Sequence, residues 1–433
     1  MSGERTTAGS LEGSVLEPGR SLETAALRRQ RLSVGILISV VGLLLLGLLA
    51  ATHGTARFAL SNAFDPVQLP TVSLPGLPLV LVCGLLCVAA GAGLLTGRLA
   101  GRFQTLAGTV GGVGFLVGFL TWAAAGRALP FPVSNQIAQT FAVATPLVLG
   151  ALAGVLCERA GVINVAIEGQ FLVAAQAAAV VGTVTQSIAW AIIAAALAGV
   201  GMAALLAVFA IKYRVNQVVL GVVLNLLASG ITGFLLDQRF SQSNLNSAPV
   251  MSSIAIPGLS KIPFIGPVVF DQNILAYLAG ISVPVVWVLL FKTSWGLRVR
   301  SVGEHPRAAD TVGISVTGMR WSAVLVGGVF AGIGGAFFIL AATGHFTRDF
   351  TNGSGFIALA AVIMGRWHPG WAALMAIFFG FATELGSQVQ TLNTPVPSDF
   401  LQMLPYVATV IAVAGLIGRV RPPASDGEPY QKA

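Results

Sequence analysis

Apolar runs of about 20 residues recur along most of this chain, divided by short polar or charged stretches. A helix of that length spans the roughly 30 Å hydrocarbon core of a bilayer. Three such runs come first, approximately Ser33–Thr52, Leu77–Gly97 and Leu106–Ala125. A break at Leu129-Pro130-Phe131-Pro132 follows, and then Ile137–Leu156, Ile163–Val181, Ile188–Ile211 and Val215–Leu236. A long loop, Asp237–Asp271, carries Pro257, Pro263 and Pro267. Beyond it lie Ile274–Phe291, Trp321–Ala342, Gly355–Gly365, Trp371–Val389 and Leu401–Ile417. The pattern predicts an all-α polytopic membrane protein of about twelve apolar segments, one or two of them broken or short. A membrane β-barrel would instead show short segments of alternating hydrophobicity. The segment at Gly355 has only about eleven residues, which predicts a broken or partly unwound crossing packed inside protein.

Composition agrees: mean hydropathy is +0.85, and 9% of the 433 residues are charged, against about 25% in soluble domains. The expected organisation is a polar tail over 1–31, an N-terminal extension of three spans over 32–130, a main transmembrane unit over 131–420, and a second polar tail over 421–433. The apolar run after Arg31 is too long and too far from the start for a secretory signal.

Charge sets the orientation. If all twelve segments cross and the N-terminus is cytoplasmic, most cations fall inside, among them Arg98, Arg102, Arg159, Lys212, Arg214, Arg298, Arg300, Arg307, Arg320 and Arg366. Only Arg57, Arg127, Arg239, Lys261 and Arg348 fall outside. The positive-inside rule therefore predicts that both termini are cytoplasmic and that Asp237–Asp271 faces outward. The net charge of +8 does not point to nucleic acid, because the basic residues stand at segment ends and not in one patch. Cys83, Cys87 and Cys157 lie in or beside apolar segments and read as small buried hydrophobes.

Two polar stretches carry candidate chemistry. Glu158–Gln170, ERAGVINVAIEGQ, brings Asn164, Glu168 and Gln170 into or beside a membrane helix. A carboxylate at the bilayer centre costs on the order of 2.5–3.5 kcal/mol, so it faces a cavity or a partner. Glu168 either marks a helix break lining a path or caps backbone amides at the interface. Asn225 is the strong polar group of its span, and Glu384 with Gln388 recurs near the outer end of a later one. Each could serve a substrate or a neighbouring helix. The second stretch, Lys292–Arg320, is basic and cytoplasmic. Pro306 suits the first turn of a short helix through Arg307, Ala308 and Ala309, and Gly313 can close that helix in the left-handed conformation. It reads either as a handle for a partner or as a loop that only fixes topology. The chain carries no GxxxxGK[ST] loop, nucleophile elbow or HExxH helix.

Four passages, in order, resemble one family. ATPLVLGALAGVLCERAGVINVAIEGQFLVAAQAA, NQVVLGVVLNLLASGIT, GLRVRSVGEHPRAADTVGISV and GFIALAAVIMGRWHPGWAAL together cover about Gln136–Arg419. They resemble ATP-binding cassette (ABC) importer permeases of the branched-chain amino acid, ribose and galactoside class, and within it the nucleoside-type subgroup that works with a basic-membrane-lipoprotein binding protein. The resemblance implies a transport subunit and not an enzyme, placed in a bacterial cytoplasmic membrane. It also implies a second permease subunit, an ATPase chain that binds the ATP, an extracytoplasmic substrate-binding lipoprotein and no cofactor on this chain. It makes Gly296, Arg298, Gly303, Glu304, Pro306, Arg307, Ala308, Ala309 and Gly313 the ATPase-coupling loop. Asn164, Glu168, Gln170, Asn225 and Glu384 become candidate substrate-path residues. Nucleosides are the expected substrate and simple sugars the alternative; a stand-alone secondary transporter coupled through Glu168 or Glu384 is the other reading. The family pattern does not extend to the first three spans. The stretches around Glu168 and Gly365 could be matched halves of an inverted repeat.

Overall fold

The computed structural model describes residues 25–62, 65, 67–99, 101–240, 246–392, 394, 396–403, 406 and 421–432. The helices among them are α1 (Ala25–Gly47), α2 (Gly76–Leu95), α3 (Arg102–Ala124), α4 (Val133–Arg159), α5 (Ile167–Thr185), α6 (Ile188–Ala207), α7 (Gln217–Leu235), α8 (Ile265–Val269), α9 (Ile274–Lys292), α10 (Ser294–Glu304), α11 (Pro306–Thr311), α12 (Val316–Phe337), α13 (Ser354–Met364), α14 (Pro369–Thr391) and α15 (Ser398–Gln402). Among the described residues ten helices are long and apolar enough to cross a membrane. In hydrocarbon every backbone polar group needs an internal partner, and the helix supplies it within one segment. The last expected span, Leu401–Ile417, lies almost wholly outside the described residues.

Side chains and prolines set the helix starts. Asn216 accepts from the Val218 and Val219 amides to begin α7, Asn273 begins α9, Thr293 begins α10 and Ser315 begins α12. Pro306 and Pro369 open α11 and α14. Small residues then set how closely helices approach. A Cβ on Gly199 of α6 would lie 2.4 Å from the Gly328 carbonyl oxygen of α12, and one on Gly332 would lie 2.4 Å from the Ala195 oxygen. Only glycine permits that backbone contact, the usual basis of tight helix packing in lipid.

The connections sort into two poles. At one, α4–α5, α6–α7, α9–α12 and α13–α14 meet: Gln217 accepts from the Ile163 amide at 2.7 Å, and the Arg159 Nε donates to the Trp367 carbonyl at 2.8 Å. At the other, the Ser247 amide donates to Thr183, and the Asn246 side chain spans the Phe346 amide and carbonyl. The loop after α7 is less plain than its prolines imply. It holds α8 and a two-residue ladder of β4 (Ile254–Ala255) with β5 (Asp271–Gln272).

The three N-terminal helices pack on one another around Ile38, Leu45, Cys83, Cys87, Leu94 and Ala107. A small sheet ties them to the rest. Here β1 (Thr55–Ala59) lies between antiparallel β2 (Val72–Pro75) and parallel β3 (Phe131–Pro132), just before α4. Trp122 and Phe131 then pack against Leu385, Val389 and Leu392 near the end of α14.

Helix α13 has 11 residues, about 16 Å at 1.5 Å per residue, too short to cross alone. Non-helical backbone precedes it, with Phe346 and Thr351 buried in protein. Glu168 and Gly365 stand at opposite ends of α13: Glu168 contacts its first turn and Gly365 follows its last.

Candidate functional site: a buried polar joint and a cytoplasmic helix pair

The polar joint is built on the first turn of α5. A helix leaves its first N–H groups unsatisfied, and in lipid no water completes them. Asn225 of α7 accepts from the Gly169 amide at 2.8 Å and donates to the Val165 carbonyl at 3.0 Å, joining α7 to the start of α5. Glu168 points the other way. Its carboxylate accepts from the Thr351 hydroxyl at 2.5 Å and from the Gly353 and Gly355 amides at 2.9 and 2.6 Å. Those amides belong to the N-terminus of α13, so Glu168 caps a helix remote in sequence and its charge meets the positive end of that dipole. Of the two readings open for Glu168, backbone capping is what the structure shows. Gly355 is obligatory there, since a Cβ would stand 2.4 Å from the Glu168 nitrogen.

Asn164 and Gln170 are fully buried and bonded to each other at 3.2 Å, behind the joint. Glu384 is elsewhere on α14, held by Gln388 at 2.6 Å beside the seam with the N-terminal helices. Four of the five candidate path residues thus come together and the fifth does not. The pattern missed Gln176, whose amide donates to the Thr232 carbonyl at 2.8 Å as a second α5–α7 tie. A recess of about 290 Å³ opens beside the joint, bounded by Glu168, Asn225, Ser229, Asp349 and Phe356.

The second region is the pair α10–α11. The short helix expected at Pro306 is present, and Gly313 follows it at φ +84°. An additional amphipathic helix, α10, precedes it. Gly296 lets α10 fold back on α9, where a Cβ would lie 2.1 Å from the Leu289 oxygen. Gly303 sits against the Arg159 carbonyl, 2.2 Å from where its Cβ would be. Arg300 donates to the Leu290 carbonyl at 3.0 Å and lies over the Phe291 ring. Arg298, Glu304, Arg307 and Ala308 are exposed. Ala309 is not: it faces Val302, Val316 and Tyr430 in a small core. Of the two alanines in the expected coupling loop, Ala308 thus faces outward and Ala309 inward, adjacent helical positions lying about 100° apart.

The C-terminal tail is a further finding. Residues 421–432 pack on this helix pair. The Ser425 amide donates to the Gly303 carbonyl at 2.9 Å, the Gly427 amide to Gly161 at 3.3 Å, and buried Arg320 donates to the Glu428 carbonyl at 2.8 Å. The Glu304 carboxylate accepts from the Ala424 amide at 3.3 Å. Asp426 is half-buried, and burial pushes its carboxyl up to about 7 against the opposing pull of Arg320.

Residues 136–414 match the family described as branched-chain amino acid transport system / permease component. The nucleoside ABC transporter permease protein NupC of Lactococcus lactis is 39% identical over 307 residues, 69% of this chain and 96% of that protein. The guanosine ABC transporter permease protein NupQ of Bacillus subtilis is 37% identical over 310 residues, 69% of this chain and 97% of that protein. A putative glucose ABC transporter permease protein of Haloferax volcanii, TsgC13, is 37% identical over 59% of this chain and 77% of its own length. No solved structure matches. The N-terminal three-helix unit lies outside the matched residues, whereas the polar joint and the α10–α11 pair lie within them, and the chain belongs to the permease-component family of branched-chain amino acid type transport systems, a transport subunit and not an enzyme.

Proposed function

We propose that this chain is the transmembrane permease subunit of an ABC importer for nucleosides in a bacterial cytoplasmic membrane, with both termini cytoplasmic. It pairs with a second permease subunit, receives substrate from an extracytoplasmic binding lipoprotein at the Asp237–Asp271 side, and is driven by an ATPase chain that binds the ATP. The observation that carries the mechanism is the α10–α11 pair. It presents Leu297 and Val312, 61% and 74% exposed, beside Ala308 and Arg307, at the pole where the helix connections gather. Apolar side chains exposed on this helix pair give a partner chain area to bury. A short helix locked by Gly296, Gly303 and the tail transmits a displacement that a slack loop would absorb.

The nucleoside reading rests on the names of the relatives matched over most of their length. A path for a neutral heterocycle with a sugar needs hydrogen-bonding groups and apolar walls more than charge. Glu168 and Asn225 then shape the path by holding α5, α7 and α13 in register. The test is uptake of labelled guanosine and of labelled glucose by vesicles holding the whole complex. Guanosine uptake that depends on ATP supports the reading. ATP-dependent glucose uptake alone moves it to sugars, and uptake driven by an ion gradient without ATP ends it.

A further inference from the structure

We infer that the recess beside the polar joint is a sugar-recognition site, in which Asp349 and Ser229 take the vicinal hydroxyls of a ribose and Phe356 offers a face to the rest of the ligand. The inference rests on the nucleoside reading above and deepens it. Ser229 stands 12 residues after Gln217, the first residue of the 19-residue α7, about 18 Å along its axis and thus at hydrocarbon depth. The Asp349 carboxylate meets it there, accepting from the Ser229 hydroxyl at 2.7 Å. Among the described residues Ser229 is the only partner of that carboxylate, and Asp349 is exposed. A carboxyl group at such depth is too costly to face lipid, so it faces water or a passing ligand.

The neighbouring polar groups are already engaged: Glu168 accepts from Thr351, Gly353 and Gly355, and Asn225 bonds Val165 and Gly169. Arg348 is turned to Asp237. The loop carrying Asp349 is preorganised. Asp349, Asn352 and Gly353 adopt φ of +48°, +46° and +77°, a left-handed conformation that Asp, Asn and Gly tolerate best. Glu168 clamps that loop at Thr351 and Gly353. Across the recess Phe356 is 47% exposed. A carboxylate beside a hydroxyl, facing an aromatic ring, matches a neutral vicinal diol attached to a flat or apolar body. It repels a phosphorylated ligand, which selects nucleosides over nucleotides.

The experiment compares guanosine with 2′-deoxyguanosine, which lacks one hydroxyl of the diol, in vesicles holding the full complex. Asp349→Asn keeps a residue that tolerates the left-handed φ. It should lower guanosine uptake about 10-fold, the loss typical of one charged hydrogen bond, and 2′-deoxyguanosine uptake by about 3-fold or less. Ser229→Ala should act in the same direction more weakly. Co-purification of the ATPase with each variant shows that assembly is intact. Equal loss for both nucleosides, or no loss for either, overturns the site while leaving the nucleoside reading standing. Wild-type vesicles that take up no nucleoside overturn the parent reading and this site with it.

Discussion

The backbone amide of Gly355 donates at 2.6 Å to the carboxylate of Glu168, 187 positions away in the chain. This contact closes a triangle in which Asn225 holds the start of α5 to α7 and Glu168 holds it to α13. Gly355→Ala should be among the most damaging small changes here. Its methyl would overlap the Glu168 backbone, and forced overpacking costs about 1–3 kcal/mol or more. Thermal unfolding of the purified protein should shift clearly downward. Glu168→Gln keeps one oxygen acceptor but loses the charge, so it should insert and assemble yet transport poorly. Wild-type uptake by the Gln variant would remove Glu168 from the mechanism.

The two alanines of α11 should separate docking from folding. Ala308 is exposed, so Ala308→Trp should leave the permease stable while preventing ATPase co-purification or uncoupling hydrolysis from uptake. Ala309 is buried against Val302 and Val316, so Ala309→Trp should lower thermal stability as well. Normal ATPase association and uptake in the Ala308 variant would reduce this loop to a topological anchor.

Removing residues 422–433 should loosen the same helices and open the cleft that the tail shares with Pro306, Arg307 and Ala308. The tail ties Gly303 to Gly161 through Ser425 and Gly427, so its loss frees α10 from the α4–α5 connection. Faster amide exchange over Val299–Val312, with uptake reduced more than ATPase binding, is the expected result. Unchanged exchange would show that the tail merely rests there.

Tail docking should also depend on pH. The Asp426 carboxyl sits at about 7 in the folded protein against an ordinary 3.8. A raised folded value means that the protonated form favours docking. The contribution is full below about pH 4 and is lost as pH rises through about 7. The charges acting on Asp426 or near it are Arg320, Glu428 and Glu158. Exchange protection of residues 424–430 should therefore be greater at pH 6 than at pH 8, and Asp426→Asn should flatten that difference. A steeper pH dependence in the Asn variant would assign the effect to another group.

Orientation is open to direct labelling. The three cysteines are all buried, so background is low. A cysteine placed at Ser253 should react with an impermeant thiol reagent in intact cells, and one placed at Ser301 should not. The reverse pattern would invert the topology.

The membrane class, the long spans among the described residues and the short helix at Pro306 could be read from the sequence, because each depends on local composition. Apolar length decides whether a segment crosses, and a proline at N1 with a glycine after the end bounds a helix wherever it lies. The roles of Glu168 and Ala309 could not be read that way. A carboxylate at depth needs donors, but nothing near Glu168 in sequence says that they are the amides of Gly353 and Gly355. Ala308 and Ala309 are the same residue type side by side, and only the approach of Val302, Val316 and Tyr430 turns one of them inward. The tail is the plainest case. Its polar composition suits a solvated end, yet backbone bonds to Gly303 and Gly161 hold it in place. Such contacts join groups far apart in the chain through backbone atoms that every residue carries, so the tertiary structure alone decides them.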